Sequence, residues 1–193
     1  MRKITKQKEI DQILSQATSY HEAFAIGVSA KRHGNNELAL LMLQKACEIS
    51  PTDFCMVALA ATYRAIGEFK RGEKIYRDIL NINPLNSAAL VGLAAILKDV
   101  KNFNEGYQLS KKALQQNPDD CAALYCLGSI CNEMNRIEEA EDYFLKAIKI
   151  GCESIGLTDN VISLRNSYKA KGNITAVEKL DRVLQTIRNN GGK

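Results

Sequence analysis

The chain has 193 residues, 46% of them hydrophobic and 25% charged, and a net charge of +4. These totals fit a globular chain rather than a disordered one, and the charge is too mild to demand nucleic acid. No apolar run approaches the roughly 20 residues of a bilayer span, and the basic segment Met1 to Asp11 lacks the following apolar block of a secretory signal.

With three prolines and no alternating strand-like runs, helix is expected almost throughout. Between Thr5 and Thr18, Ile10, Ile13, Leu14 and Ala17 recur at helical spacing, with Lys3, Lys6 and Lys8 on the other face. The stripe predicts a helix over residues 1–19 that caps the first repeat, since exposed apolar stripes are avoided. A detachable arm or a dimerisation helix is the sharper alternative.

From Tyr20 onward the chain is periodic. Leu59, Leu93 and Leu127 stand 34 residues apart, as do Tyr63, Leu97 and Cys131, and Pro84 and Pro118. The first period, 20–52, carries Ala23, Gly27, Ala30, Gly34, Ala39, Leu43, Ala46 and Pro51. The second, 53–86, places Leu59, Ala60 and Tyr63 before Gly67, which supplies a left-handed turn, and then Gly72, Tyr76, Ile79 and Pro84. The third, 87–120, has Leu90, Leu93, Ala94 and Leu97, then Phe103, Gly106 and Ala113, and ends at Pro118, because proline cannot continue a helix. Asn102 with Glu105 has capping-box spacing, and so has Asn135 with Glu138 in the fourth period, 121–154.

In that fourth period Gly128 and Ala140 permit close approach, while Leu127 and Phe144 fill the remaining space. The fifth, 158–190, comes after a three-residue insertion and carries Val161, Leu164, Tyr168, Gly172, Val177, Leu180 and Leu184. It is degenerate: Arg165 stands where the others have Gly or Ala, and Asp181 where they have Leu, Tyr, Ser or Phe. Terminal repeats are atypical because their outer face meets water. Residues 191–193 end a polar, Gly-rich tail expected to fray.

This pattern resembles the tetratricopeptide repeat, whose signature is W-x2-L-G-x2-Y, then A-x3-F, then A and P. Leu124, Leu127, Gly128, Cys131, Ala140, Phe144 and Ala147 hold those slots in one copy, and Tyr63 and Pro84 supply the tyrosine and proline in another. There is no Trp, and Cys152 replaces a proline. The resemblance implies an all-α chain, a right-handed α-solenoid of about five helix pairs behind an N-terminal helix.

It also implies that the first helix of each pair lines a concave face. The slots are Phe24 and Val28, then Val57, Ala58 and Ala61, then Val91, Gly92 and Ala95, then Tyr125, Cys126, Ser129 and Asn132, with Ile162 and Asn166 at the far end. A cationic row of Lys31, Arg64, Lys98 and Lys169, with Asn132 in the remaining slot, runs beside them. Such a face suits a peptide or helix with apolar anchors and acidic flanks; a solvated helix edge carrying lysines is the plainer reading. The family's clamp for heat-shock carboxylates is not met, because its slots hold Phe24, Val28, Ala58, Ala88 and Gly92, none of which has a donor side chain.

The six cysteines, at 47, 55, 121, 126, 131 and 152, show no CxxC spacing. They read as reduced core or groove thiols of a cytoplasmic protein. His21 and His33 lack ligand partners in sequence, and Glu138, Glu139, Glu141 and Asp142 read as a solvated run at a helix start. No phosphate-loop, dinucleotide, zinc-protease or nucleophile-elbow motif occurs, so no catalytic residue, metal or cofactor is expected.

The expected function is therefore a non-catalytic scaffold or adaptor that holds a partner's peptide or amphipathic helix. A chaperone for an apolar segment of a secreted or assembling protein is a narrower form, and a homo-oligomer built through residues 1–18 is a third. Single-stranded RNA binding by helical repeats is the competitor from another class; it is disfavoured because the groove slots hold Val, Ala and Gly.

Overall fold

The computed structural model describes residues 10–152 and 157–190, and all regular structure among them is helical. The expectations for residues 1–9, Lys3, Lys6 and Lys8 included, and for the tail 191–193 lie outside the described residues. After α1 (residues 10–16) come α2 (Tyr20–Arg32), α3 (Asn36–Ile49), α4 (Asp53–Ala65), α5 (Phe69–Ile82) and α6 (Ser87–Asp99). They are followed by α7 (Phe103–Gln116), α8 (Cys121–Glu133), α9 (Ile137–Lys149), α10 (Leu157–Ala170) and α11 (Ile174–Asn190).

Each pair turns on one residue in the left-handed region: Gly34 (φ 74°), Gly67 (81°), Lys101 (63°), Asn135 (60°) and Gly172 (71°). The same closure recurs at every one. At the second turn, Gly67 N–H donates to Arg64 O at 3.1 Å and Glu68 N–H to Tyr63 O at 2.9 Å; at the fourth, Asn135 donates to Asn132 O at 3.0 Å and Arg136 to Cys131 O at 2.8 Å. These bonds satisfy the last carbonyls of the first helix. Asn135 is thus the residue that stops α8, not the cap of α9; Arg136 holds the cap position and makes no side-chain bond there. Asn102 does cap α7 by position, but its side chain donates to Glu105 Oε2 at 2.8 Å instead of accepting from the helix. Neither expected capping box forms. One occurs at Ser19 with Glu22, at the start of α2.

Lys101 is the one long side chain in this series. A left-handed conformation costs an L-residue about 1–2 kcal/mol, whereas glycine gives back only about 0.4–1 kcal/mol through its freer unfolded chain. Lys101→Gly should therefore raise stability by about 0.5–1 kcal/mol, and Asn135→Gly should do almost nothing, because Asn tolerates this region. Chemical-denaturation midpoints of the two variants check this; a fall with Lys101→Gly would refute it.

The second helices end differently. Ser50 and Asn117 close α3 and α7 in extended conformations, and Asn83 closes α5 at φ −126°, ψ 87°; all three lie outside the helical region, which Pro51, Pro84 and Pro118 disfavour for the residue before them. At the matching place α9 has no proline. It ends on left-handed Gly151 (φ 76°), and Cys152 N–H donates to Ala147 O at 3.0 Å. Cys152 is buried and bonded to Cys121 at the start of α8. A second disulfide joins Cys47 in the last turn of α3 to Cys55 in the first turn of α4. Four of the six cysteines are thus paired, against the expectation of reduced thiols, and the ground for a cytoplasmic assignment goes with it. Sequence spacing hid both pairs: Cys47–Cys55 closes across the junction between two helix pairs, and Cys121–Cys152 ties the start of α8 to the chain just past α9. Cys126 and Cys131 are buried and outside both disulfides; burial first, and then Glu139, push the Cys131 thiol up to about 12.

The chain divides into two compact units, with the division between Ile96 and Leu97 inside α6. In the first, Ala17, Ala23, Met42, Ala46 and Cys55 form one core cluster, with Ile13 and Leu14 of α1 packed on it. Ile10 is buried, and the Lys45 ammonium donates to Leu14 O. The apolar stripe of α1 is used inside its own chain.

In the second unit Leu124, Ile137, Phe144, Val161, Leu164, Tyr168 and Leu180 belong to one cluster. The acidic run is not a solvated cap here. Glu141 is only 9% exposed; it accepts from Tyr168 Oη at 2.6 Å and pairs with the Lys179 ammonium, joining α9 to α10 and α11. Glu139 accepts from Tyr107 Oη at 2.6 Å and pairs with Arg136, whose guanidinium lies 4.5 Å from the Tyr107 ring centre.

The small and large slots read from the sequence face each other. A Cβ on Gly27 would stand 2.8 Å from Leu43 Cγ, and one on Gly128 2.6 Å from Phe144 Cε1. In the last pair the same two slots hold Arg165 and Asp181, which form an ion pair at 2.5 Å. A charge contact replaces the size contact where packing gives way to solvent.

Candidate partner-binding surface

The surface must be read unit by unit. In the first unit the slots on α2 (Phe24, Val28, Lys31), α4 (Val57, Ala61, Arg64) and α6 (Val91, Ala95) are all half-buried. Their backs rest on the core: Phe24, Val28 and Ala58 pack against Leu43, Leu59 and Tyr63, and Phe24 stacks on Tyr20 with centroids 5.6 Å apart. Gly92 is not open surface, because a Cβ there would lie 2.3 Å from Tyr76 Cζ. The Tyr76 ring fills that place, and its burial pushes the phenol up to about 12.

The Lys31 ammonium makes no hydrogen bond or ion pair among the described residues. Burial of its ammonium, and then the charge of Arg64, hold its pKa below the usual lysine value. Two cations therefore share the end of this face nearest the turns.

The sequence reading missed Phe54. It is 80% exposed, three residues before Val57, and continues the stripe Val57, Ala61, Arg64 toward the start of α4. Its spacing alone could have found it. Asn86 Nδ2 donates to Asp53 Oδ2 at 2.9 Å, tying the starts of α4 and α6 together beside it. His21 holds the matching place on α2, exposed and edge-on to Tyr20.

In the second unit the slots are joined to one another. Lys98 donates to Ser129 Oγ at 3.3 Å, and Ser129 is itself buried. Asn132 donates to Ser163 Oγ at 2.9 Å and accepts from Ser167 Oγ at 3.1 Å. Asn160 donates to Tyr125 Oη, whose ring meets Phe144 edge-on at 6.4 Å. Cys126 is buried, Ile162 is half-buried, and Asn166 and Lys169 are exposed. The row thus has two characters: apolar with an uncompensated lysine in the first unit, polar and internally bonded in the second.

Among the described residues no group of three His, Cys, Asp or Glu side chains could hold a metal ion, and no helix is long and apolar enough to cross a membrane.

Residues 109–142 match the tetratricopeptide repeat family model. This window begins in α7 and ends in α9, so it spans one period half a repeat out of step with the helix pairs. No curated protein matches the chain.

Solved structures are similar in fold. MamA from Desulfovibrio magneticus RS-1 superposes with a TM-score of 0.67 at 16% identity, over 89% of this chain and 96% of that one. TTC0263, a thermophilic tetratricopeptide repeat protein of Thermus thermophilus, gives 0.72 at 14% identity, over 84% and 88%. A tetratricopeptide repeat protein from Parabacteroides merdae ATCC 43184 gives 0.62 at 20%, over 88% and 67%. A period kept by small residues, five turn closures of one kind and a fold shared with these solenoids agree with the tetratricopeptide repeat matched over residues 109–142.

Proposed function

We propose that the chain is a non-catalytic adaptor that holds a peptide or amphipathic helix of another protein on the faces of its first helices. The observation that carries this reading is the apolar row on α2, α4 and α6, half-buried from behind and continued by Phe54 at 80% exposure. An aromatic side chain this exposed, continuous with other apolar surface, favours a partner's apolar anchor. Self-assembly through α1 is less favoured, because Ile10 and Ala17 are buried in their own chain. RNA binding gains little from an apolar row with few base-reading groups.

Val57→Asp and Val91→Asp place a charge in that row without touching a buried side chain. Each should lower partner capture at least about tenfold, since burying an unpaired carboxylate costs more than the roughly 1.4 kcal/mol per decade of affinity. Affinity capture with quantitative mass spectrometry, beside circular dichroism, measures this. Unchanged capture by both variants would remove the row from any binding role.

A further inference from the structure

We propose that the edge where the helix pairs of the first unit join is a docking surface in its own right, and that it takes an amphipathic segment with aliphatic anchors and basic flanks. Ile49, Ile82 and Leu85 lie outside the first-helix row, so this surface stands whether or not that row binds; only Phe54 is common to both.

Four large apolar side chains are exposed on this edge. Ile49 (46%) and Ile82 (83%) end α3 and α5, Phe54 (80%) begins α4, and Leu85 (56%) lies just ahead of α6. Two links, one on either side of Phe54, hold these helix ends together. Cys55 is bonded to Cys47, two residues before Ile49, with 5.7 Å between their Cα atoms. Asp53 Oδ2 accepts from Asn86, the neighbour of Leu85, at 2.9 Å. Exposed apolar side chains gathered in this way mark an interaction site, whereas scattered ones do not.

Stacking of the pairs does not require them. Ile49 and Ile82 each stand two residues before a proline, Pro51 and Pro84; before Pro118 the same slot holds exposed Gln116. Leu85 follows Pro84, and exposed Asp119 follows Pro118. That junction forms with polar residues in both places. Ile150 returns in the slot at the next one, but beside Lys149 instead of an acid.

The charges beside the first unit's anchors are negative. Glu48 precedes Ile49, Asp53 precedes Phe54, and Asp78 lies one turn before Ile82 on the same face of α5. The Glu48 and Asp78 carboxylates make no hydrogen bond or ion pair among the described residues. The nearby cations are engaged or set back: Lys45 donates to Leu14 O, Arg77 pairs with Glu73 at 2.8 Å, and Lys74 stands a turn farther from the edge. A basic flank complements this field. A second copy of the chain does not, because two-fold pairing sets these acids against each other. Four side chains also offer only on the order of a few hundred Å² on each copy, short of the roughly 1,200 Å² in total of a stable interface.

The probe is a synthetic amphipathic peptide with Leu at i, i+3, i+4 and i+7 and Lys on both flanks, beside a twin with Glu in place of Lys. Binding to the full chain is followed by fluorescence anisotropy. The Lys peptide should bind about fivefold or more tighter than its twin, although the net charge of +4 on the chain favours the acidic one. Ile82→Ser combined with Leu85→Ser should weaken the Lys peptide about tenfold or more, since two anchoring contacts are lost. Asp78→Lys should narrow the preference for Lys. Val91→Asp should leave both peptides unchanged, with circular dichroism confirming that every variant is folded.

Failure of both peptides to bind, equal binding, or a preference for the Glu twin would overturn the proposal. So would undiminished binding of the Lys peptide to the Ile82→Ser, Leu85→Ser chain. A loss with Val91→Asp as large as with that double variant would move the site to the first-helix row, overturning the edge while favouring the adaptor reading. A wild-type dimer in sedimentation equilibrium that the double variant dissolves would make a second copy the occupant and overturn the basic partner.

Discussion

Phe144→Ala should lower the stability of the second unit by about 3–5 kcal/mol, the cost of truncating a fully buried aromatic ring. Phe144 is 1% exposed and belongs to the cluster that includes Leu124, Ala140, Tyr168 and Leu180. Its ring also occupies the space above Gly128, so truncation opens a cavity between helices rather than at an edge.

The partner substitution tests the same contact from the other side. Gly128→Ala improves helix propensity by about 1 kcal/mol, yet its Cβ would meet Phe144 Cε1 at 2.6 Å. Overpacking of this kind costs about 1–3 kcal/mol, so the net effect should be destabilising. Combining Gly128→Ala with Phe144→Leu should recover part of the loss, because the smaller side chain gives up the ring atoms that the added Cβ would meet. Urea midpoints of the two single variants and the double variant measure this. A higher midpoint for Gly128→Ala alone would mean that the ring moves aside freely and that the small-against-large account of these pairs is wrong.

Reducing the Cys121–Cys152 disulfide should cost about 3–4 kcal/mol in the chain-entropy account, given its sequence separation of 31 residues. The Cys47–Cys55 bond closes a separation of only 8 and should cost less, about 2–3 kcal/mol. Thermal melts with and without a dithiol reductant, on the wild type and on Cys47→Ser and Cys121→Ser, separate the two. Alkylation in denaturant without reductant should label only Cys126 and Cys131. Labelling of all six, with a melt indifferent to reductant, would refute the pairing. Restoring the repeat's usual residue does not repair the junction: Cys152→Pro removes both the disulfide and the N–H that donates to Ala147 O, so it should be no more stable than Cys121→Ser.

Much of this chain was readable before any coordinates. The 34-residue period located the helix pairs, because a repeated pair can bury its apolar face only against a neighbour of like shape. Gly128 against Phe144, the left-handed turn at Gly67, and the inward faces of Leu90, Leu93 and Leu97 all follow from local pattern, since helical spacing sets which side chains share a face. The first-helix row was legible for the same reason, and Phe54 was within reach of the same rule.

Tertiary structure alone decided the rest, wherever the partner of a residue lies outside its own helix. Glu141 looks like part of a solvated run until α10 and α11 bring Tyr168 and Lys179 to it. Arg165 and Asp181 look like two separate departures from the repeat until packing sets them face to face. Cys121 and Cys152 have no spacing that marks them as a pair, and Asn132 looks like a free groove donor until Ser163 and Ser167 engage it. Periodicity along a helix reports which face a side chain is on; which neighbour it meets there is set by the stacking of the pairs, and hydrogen bonds, ion pairs and disulfides depend on that neighbour within a few ångströms.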